Sequence, residues 1–178
     1  MRMLFILGLC FLAYISFTRT HPLGLLRRWF ATAPATAKSA TRVPDPQQIL
    51  HNINHYRQQH GVSPLRYSTT CQAAARIQAE YNAANGTWSH DNADLPVPGD
   101  RLREAGHEYE SKHPRWAENV FRYTLSRDKK HSPRWHVFHR YHISPPHDAE
   151  MLDSKVTRFG TASVIDDGVL YNTEVFAN

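Results

Sequence analysis

Lys155–Ala177 reads KVTRFGTASVIDDGVLYNTEVFA, and it decides the fold class. Two runs rich in β-branched and aromatic residues flank Asp167-Gly168, a dipeptide suited to a tight hairpin turn. Gly160 and Ala162 in the first run leave room for another element to lie close on that face. Tyr171 and Phe176 are expected on the second strand, burying the helices that precede it.

Upstream, the apolar period lengthens to that of helices. DPQQILHNINHYRQQHG (Asp45–Gly61) begins with an N-cap at Asp45, Pro46 at the first helical position and Gln48 three residues on as a capping box. Ile49, Ile53 and Tyr56 fall on one face, and Gly61 ends the helix. STTCQAAARIQAEYNAANG (Ser68–Gly86) predicts a second helix capped by Ser68, with Ala74, Ile77 and Tyr81 as its buried stripe. Residues 86–100 read as loop, Asp100–Gly106 as a short helix, and Ser132–Ile143 as another with Pro133 in its first turn. Helices followed by a hairpin predict an α+β domain.

The chain has 178 residues, 41% of them hydrophobic, enough for one well-packed domain and an extension. Its net charge of +5 is unevenly placed. Residues 1–42 carry Arg2, Arg19, Arg27, Arg28, Lys38 and Arg42 and no acid, so the remainder is close to neutral. A nucleic-acid partner is therefore not expected. The apolar run Met3–Phe17 after Arg2 suits a signal peptide or signal anchor over residues 1–20, and a transit peptide fits its start poorly. Residues 21–44, including ATAPATAKSATRVPDP, read as a basic, Ala/Thr/Pro-rich linker that could meet a membrane surface, with the domain over 45–178. Residues 1–42 are expected to be dispensable for folding. Cys10 and Cys71 fall in the leader and the body, so no internal disulfide is expected. No internal repeat is present.

Eleven of the twelve histidines lie in the body. His136, His139 and His142 recur every three residues and could share a helix face, but interleaved arginines favour a solvated surface. His90 (in TWSHDN) and His147 (in SPPHDAEML) are ordinary loop residues when taken alone. Glu118, in RWAENVF, is a carboxylate among apolar neighbours and needs a partner. That partner could be a structural cation, or a histidine that it orients; Glu118 could also serve as a general base. No G-x-S-x-G, H-E-x-x-H, P-loop or C-x-x-C is present, so no hydrolase or nucleotide motif is spelled out. Asn85-Gly86-Thr87 is a glycosylation sequon.

The order of motifs resembles the CAP superfamily, the domain of cysteine-rich secretory proteins, antigen 5 and pathogenesis-related 1 proteins, in its short, disulfide-free SCP-like form. The resemblance runs from Ile49 to Phe176. It rests on Asn54 and Arg57 followed by HGVSPLRY; on Cys71, Ala75, Gln78 and Ala79; on WSH, DRLREAGHEY, AEN in place of G-E-N, and YHISPPHDAEML; and on RFGTASVIDDGVLYNTEVF. It implies an α-β-α sandwich with an antiparallel sheet flanked by helices. It implies a cleft in which His90 and His147 hold zinc or another divalent metal, with Glu118, Asn119, Ser144 and Tyr141 around the ligand. Glu118 would face the cleft and pair with His90 or His147, and Asn119 would point the other way. Ser144 stands where the family has a second acid, so the usual two-acid, two-histidine set is incomplete. The basic insertion at 121–136 has no counterpart in the motif order.

Three functions follow from the resemblance. The first is a secreted or membrane-anchored, non-enzymatic binding domain on the extracytoplasmic side, taking a metal and a lipid or sterol. The second is a metal-dependent hydrolase with Glu118 as the catalytic base. The third is a host-interaction or defence factor with a vestigial cleft. A preserved His–Glu–His geometry favours the first two, and a collapsed one the third.

Overall fold

The computed structural model describes residues 43–125 and 131–178, which belong to one compact unit, Thr36–Asn178. The expected leader, nearly all of the linker and Cys10 lie outside the described residues. Helix α1 spans Pro46–Gln59, strand β1 Arg66–Tyr67, α2 Thr69–Asn85 and α3 Pro98–Glu104. Strand β2 follows at Trp116–Thr124, then α4 at Pro133–His142, α5 at Pro145–Met151, β3 at Arg158–Asp166 and β4 at Val169–Ala177. The sheet order is β1-β3-β4-β2, antiparallel except that the two-residue β1 runs parallel to β3.

Local chemistry sets the ends of these elements. The Asp45 carboxylate accepts from Gln47 N at 3.0 Å, Ser68 Oγ from Cys71 N at 3.2 Å, and Ser132 Oγ from Trp135 N at 3.3 Å. Each satisfies a helix N–H that has no partner inside its helix. At the hairpin, Asp167 and Gly168 take φ of 42° and 73°, the left-handed geometry whose twist matches the strands.

Helices cover both sheet faces. On one side α1 and α4 bury Ile49, Ile53, Val137 and Tyr141 against Ala117, Phe159, Leu170 and Phe176. Arg57, 1% exposed, ties α1 to the segment after α5 by donating to Ser63 O, Met151 O and Asp153 O at 2.7, 2.7 and 3.0 Å. On the other side α2 and α3 lay Cys71, Ala74, Ala75, Ala79 and Leu102 on Ala162, Val175 and Ala177.

One expectation changes, and two unassigned stretches acquire structure. The α2 stripe is not Ala74, Ile77 and Tyr81; Ile77 and Tyr81 are half-buried, and Cys71, Ala74, Ala75, Gln78, Ala79, Asn82 and Ala83 face inward. Gly160 is the reason. A Cβ there would run into the backbone of Cys71 and Gln72, so the helix sits too close for large side chains. RWAENVF lies mostly in a nine-residue edge strand, paired with β4 along its whole length. Helices cover both its faces, which removes the alternation that marks a half-exposed strand. The basic insertion at 121–136 is for the most part the second half of β2 and the start of α4, with 126–130 outside the described residues.

Candidate functional site

Successive strand residues point to opposite faces, so β2 sends Glu118 towards α2 and α3 and Asn119 towards α4 and α5. The Glu118 side chain is 1% exposed. Arg101 meets it, with a side chain 0% exposed and Nη2 at 2.8 and 2.7 Å from the two carboxylate oxygens. Helix α3 can deliver this guanidinium because Gly99 packs against the Trp116 indole, where a Cβ would stand 3.0 Å from Nε1. Arg101 also donates to Leu95 O at 2.6 Å and to His90 O at 3.4 Å, so one cation organises both the acid and the loop before α3.

His90 sits in that loop with its side chain 52% exposed and its Nδ1 2.9 Å from Glu118 Oε1. A carboxylate can only accept, so Nδ1 donates, and in the neutral ring Nε2 is left with its lone pair. The backbone on either side is pinned from α2. Gln78 Nε2 donates to Ser89 O at 2.7 Å and to Asp91 O at 3.1 Å, and Asn82 Nδ2 to Ser89 O at 3.1 Å. These two buried amides explain why a polar pair occupies the inward face of α2.

His147 comes from the first turn of α5, half-buried. Its Nδ1 lies 2.8 Å from Ser144 Oγ, its carbonyl accepts from Asn119 Nδ2 at 3.2 Å, and its ring meets Tyr141 edge-on at 5.3 Å. Burial lowers its pKa, and the nearby charge of His90 lowers it further, so the ring favours the neutral, ligating form.

Tyr141 and Asn119 do not line a cleft. Both are 0% exposed. The Tyr141 hydroxyl is within 2.9 Å of Asn172 Oδ1 and 3.1 Å of Asn119 O, and it holds the sheet beneath the site. Burial, followed by the charges of Glu174 and Glu118, pushes its pKa well up. The three histidines of α4 do not converge. His136 is buried and stacked on Tyr123, His139 stacks on exposed Trp135, and His142 Nδ1 lies 3.1 Å from Asp148 Oδ1. The sequon residue Asn85 ends α2 with Nδ2 2.8 Å from Tyr81 O.

The donor set suits a metal in one limited way. His90 and His147 each anchor Nδ1 on an oxygen and keep Nε2 without a hydrogen-bond partner among the described residues, the arrangement in which an outer group fixes a ligand's orientation. Glu118 is engaged by Arg101 and His90. Among the described residues, no group of three or more His, Cys, Asp or Glu is placed to hold a metal. The residues that would hold an ion are His90 and His147, each fixed through Nδ1.

Sequence reasoning missed Arg101, Gln78 and Asn82. Arg101 stands in DRLREAG and Gln78 among the motif positions of the second helix, yet neither position carries a legible role. Their chemistry depends on partners far away in the chain.

The sequence profile of the cysteine-rich secretory protein (CAP) family matches residues 50–177. The chain belongs to this family. Among solved structures, this CAP domain is similar to an extracellular protein containing an SCP domain from Bacillus anthracis, with TM-score 0.61 and 21% identity, covering 82% of this chain and 44% of that one. The chain thus spans less than half the length of that neighbour. It is also similar to an outer surface protein from Borrelia burgdorferi, with TM-score 0.59 and 14% identity, covering 76% of this chain and 96% of that one. At these identities the likeness is one of fold. No curated protein matches the sequence. Among the described residues, no helix is long and apolar enough to cross a membrane.

Proposed function

We propose that this CAP domain is an extracytoplasmic, non-enzymatic binding module. Its His90–His147 cleft takes a divalent metal, zinc foremost, together with a small lipid or sterol. The observation that carries the reading is the bond from His90 Nδ1 to Glu118, a carboxylate fixed by Arg101, which turns Nε2 into a presented ligand. Neutral imidazole suits zinc, and two protein ligands give modest affinity rather than a structural site. The lipid part follows the family resemblance and has local support in Trp88, 55% exposed, two residues before His90 and stacked under Arg122 at 4.1 Å. The placement outside the cytoplasm draws on the apolar run after Arg2 and on the extracellular and outer-surface descriptions of the two neighbours. A metal-dependent hydrolase fits less well, because both Glu118 oxygens are engaged and a general base must be free to reach a water.

Calorimetric titration of the purified domain with zinc tests the proposal. Affinity is expected to fall as pH drops, because protons compete for the imidazoles, and the lowered pKa of His147 keeps that ring available further into acid. His90→Ala and His147→Ala should each abolish binding while His139→Ala leaves it. Loss on His139→Ala with binding retained on His90→Ala would move the metal to α4.

A further inference from the structure

On the opposite face of the sheet, β4 carries a second buried acid. Glu174 is 0% exposed and sits directly across from Asn119, with Asn119 Nδ2 3.5 Å from Glu174 Oε2. No cation pairs with it among the described residues, in contrast to Glu118. The other atoms of the two groups, Glu174 Oε1 and Asn119 Oδ1, are both buried without a hydrogen-bond partner. Both are acceptors when Glu174 is ionised, so neither can serve the other. One proton on Glu174 Oε1 changes that. A carboxylic acid and a primary amide can pair reciprocally, the hydroxyl donating to the amide oxygen and the amide N–H to the acid carbonyl.

We propose that Glu174 is carried as an uncharged carboxylic acid in a reciprocal pair with Asn119, and that this pair positions His147 in the cleft. Asn119 is the link, since the same Nδ2 donates to His147 O at 3.2 Å. With its oxygen held by the acid, the amide cannot flip and withdraw that donor. The groups presented to Glu174 are Asn119 from β2, Thr161 opposite it on β3, and from α4 the Tyr141 phenol, whose titration its charge raises. Arg57 of α1 commits its nitrogens to backbone carbonyls at Ser63, Met151 and Asp153. Burial raises the Glu174 pKa from 4.5 to about 8, with the Asn119 bond acting the other way. This agrees with what the two orphaned acceptors require.

The role of His147 rests on the proposed function of the cleft; the protonation of Glu174 does not. The test is carbon-13 NMR of the side-chain carboxyls of the whole domain across neutral and alkaline pH, with the Glu174 signal assigned by its loss in Glu174→Gln. The Glu174 carbon should keep an acid shift at neutral pH and titrate near 8. The His147 ring signals should follow that same step, and the step should vanish in Glu174→Gln, whose amide retains the pairing.

Denaturant unfolding supplies a second readout. A folded-state pKa raised above the unfolded value gives stability that is full below the unfolded pKa and lost as pH rises. Wild type should therefore lose stability relative to Glu174→Gln, by one proton's slope, as pH climbs from 4.5 to about 8, and run parallel beyond. A carboxylate shift at neutral pH, or parallel stability curves throughout, overturns the protonated pair. A Glu174 step that leaves His147 unmoved overturns the positioning. Should Glu174→Gln not fold, the wild-type spectra alone decide both points, since a carboxyl titrating near 8 stands apart from ordinary acids. Absence of zinc binding with the Glu174 step intact would strike the cleft reading and spare the pair.

Discussion

Two buried glutamates lie on opposite faces of one sheet, and among the described residues a cation stands beside only one of them. Glu118 has a guanidinium at 2.7 Å; Glu174 has an amide at 3.5 Å and no cation among the described residues. Burial is nearly the same for both side chains, so burial alone does not decide what an inward-facing acid does. A carboxylate can be buried if a cation comes with it, and otherwise its neutral form is favoured. The face with the cation also carries His90, its side chain 52% exposed and bonded to the acid. The face without one meets α5, where Asn119 bonds the His147 carbonyl.

The sharpest way to break this comparison is Arg101→Met. It strands the Glu118 charge in an apolar setting and should cost about 3–5 kcal/mol, read by urea unfolding. Adding Glu118→Gln should return much of that loss. No recovery would mean that Arg101 acts by packing and by its bond to Leu95 O. Next comes Asn119→Leu, which removes both the amide that bonds Glu174 and the donor to His147 O. It should cost about 1–3 kcal/mol in the same unfolding measurement. Glu174→Gln should be milder, below about 1 kcal/mol at acidic pH, and should become relatively stabilising as pH rises towards 8. The smallest effect on stability belongs to His90→Ala. With a side chain 52% exposed, it should cost about 0.5 kcal/mol or less while removing zinc binding. A large stability loss there would make His90 a strut of the loop.

Much of the architecture was legible where local chemistry is decisive. The caps at Asp45 and Ser68 and the Asp167-Gly168 turn act within a few residues of themselves, so a linear reading finds them. Phe176, 0% exposed, lies on β4 as expected, and Phe176→Ala should cost about 3–5 kcal/mol by thermal unfolding. Strand β2 was not legible, because covering both its faces erased its period. The α2 stripe was misread because apolar bulk does not reveal how closely Gly160 lets the helix approach.

For the site, the sequence by itself determined that Glu118 required a partner and that His90 and His147 stood in motifs of the family. Only the tertiary structure decided that Arg101 is that partner, that Glu118 bonds His90, and that Tyr141 and Asn119 are fully buried. It alone revealed Glu174 as a second acid without a cation among the described residues. The physical reason is common to all of these. A buried polar group is defined by what the rest of the chain brings within about 3 Å of it, and residues such as Arg101 and Glu118, 17 positions apart, meet only when a helix and an edge strand have packed.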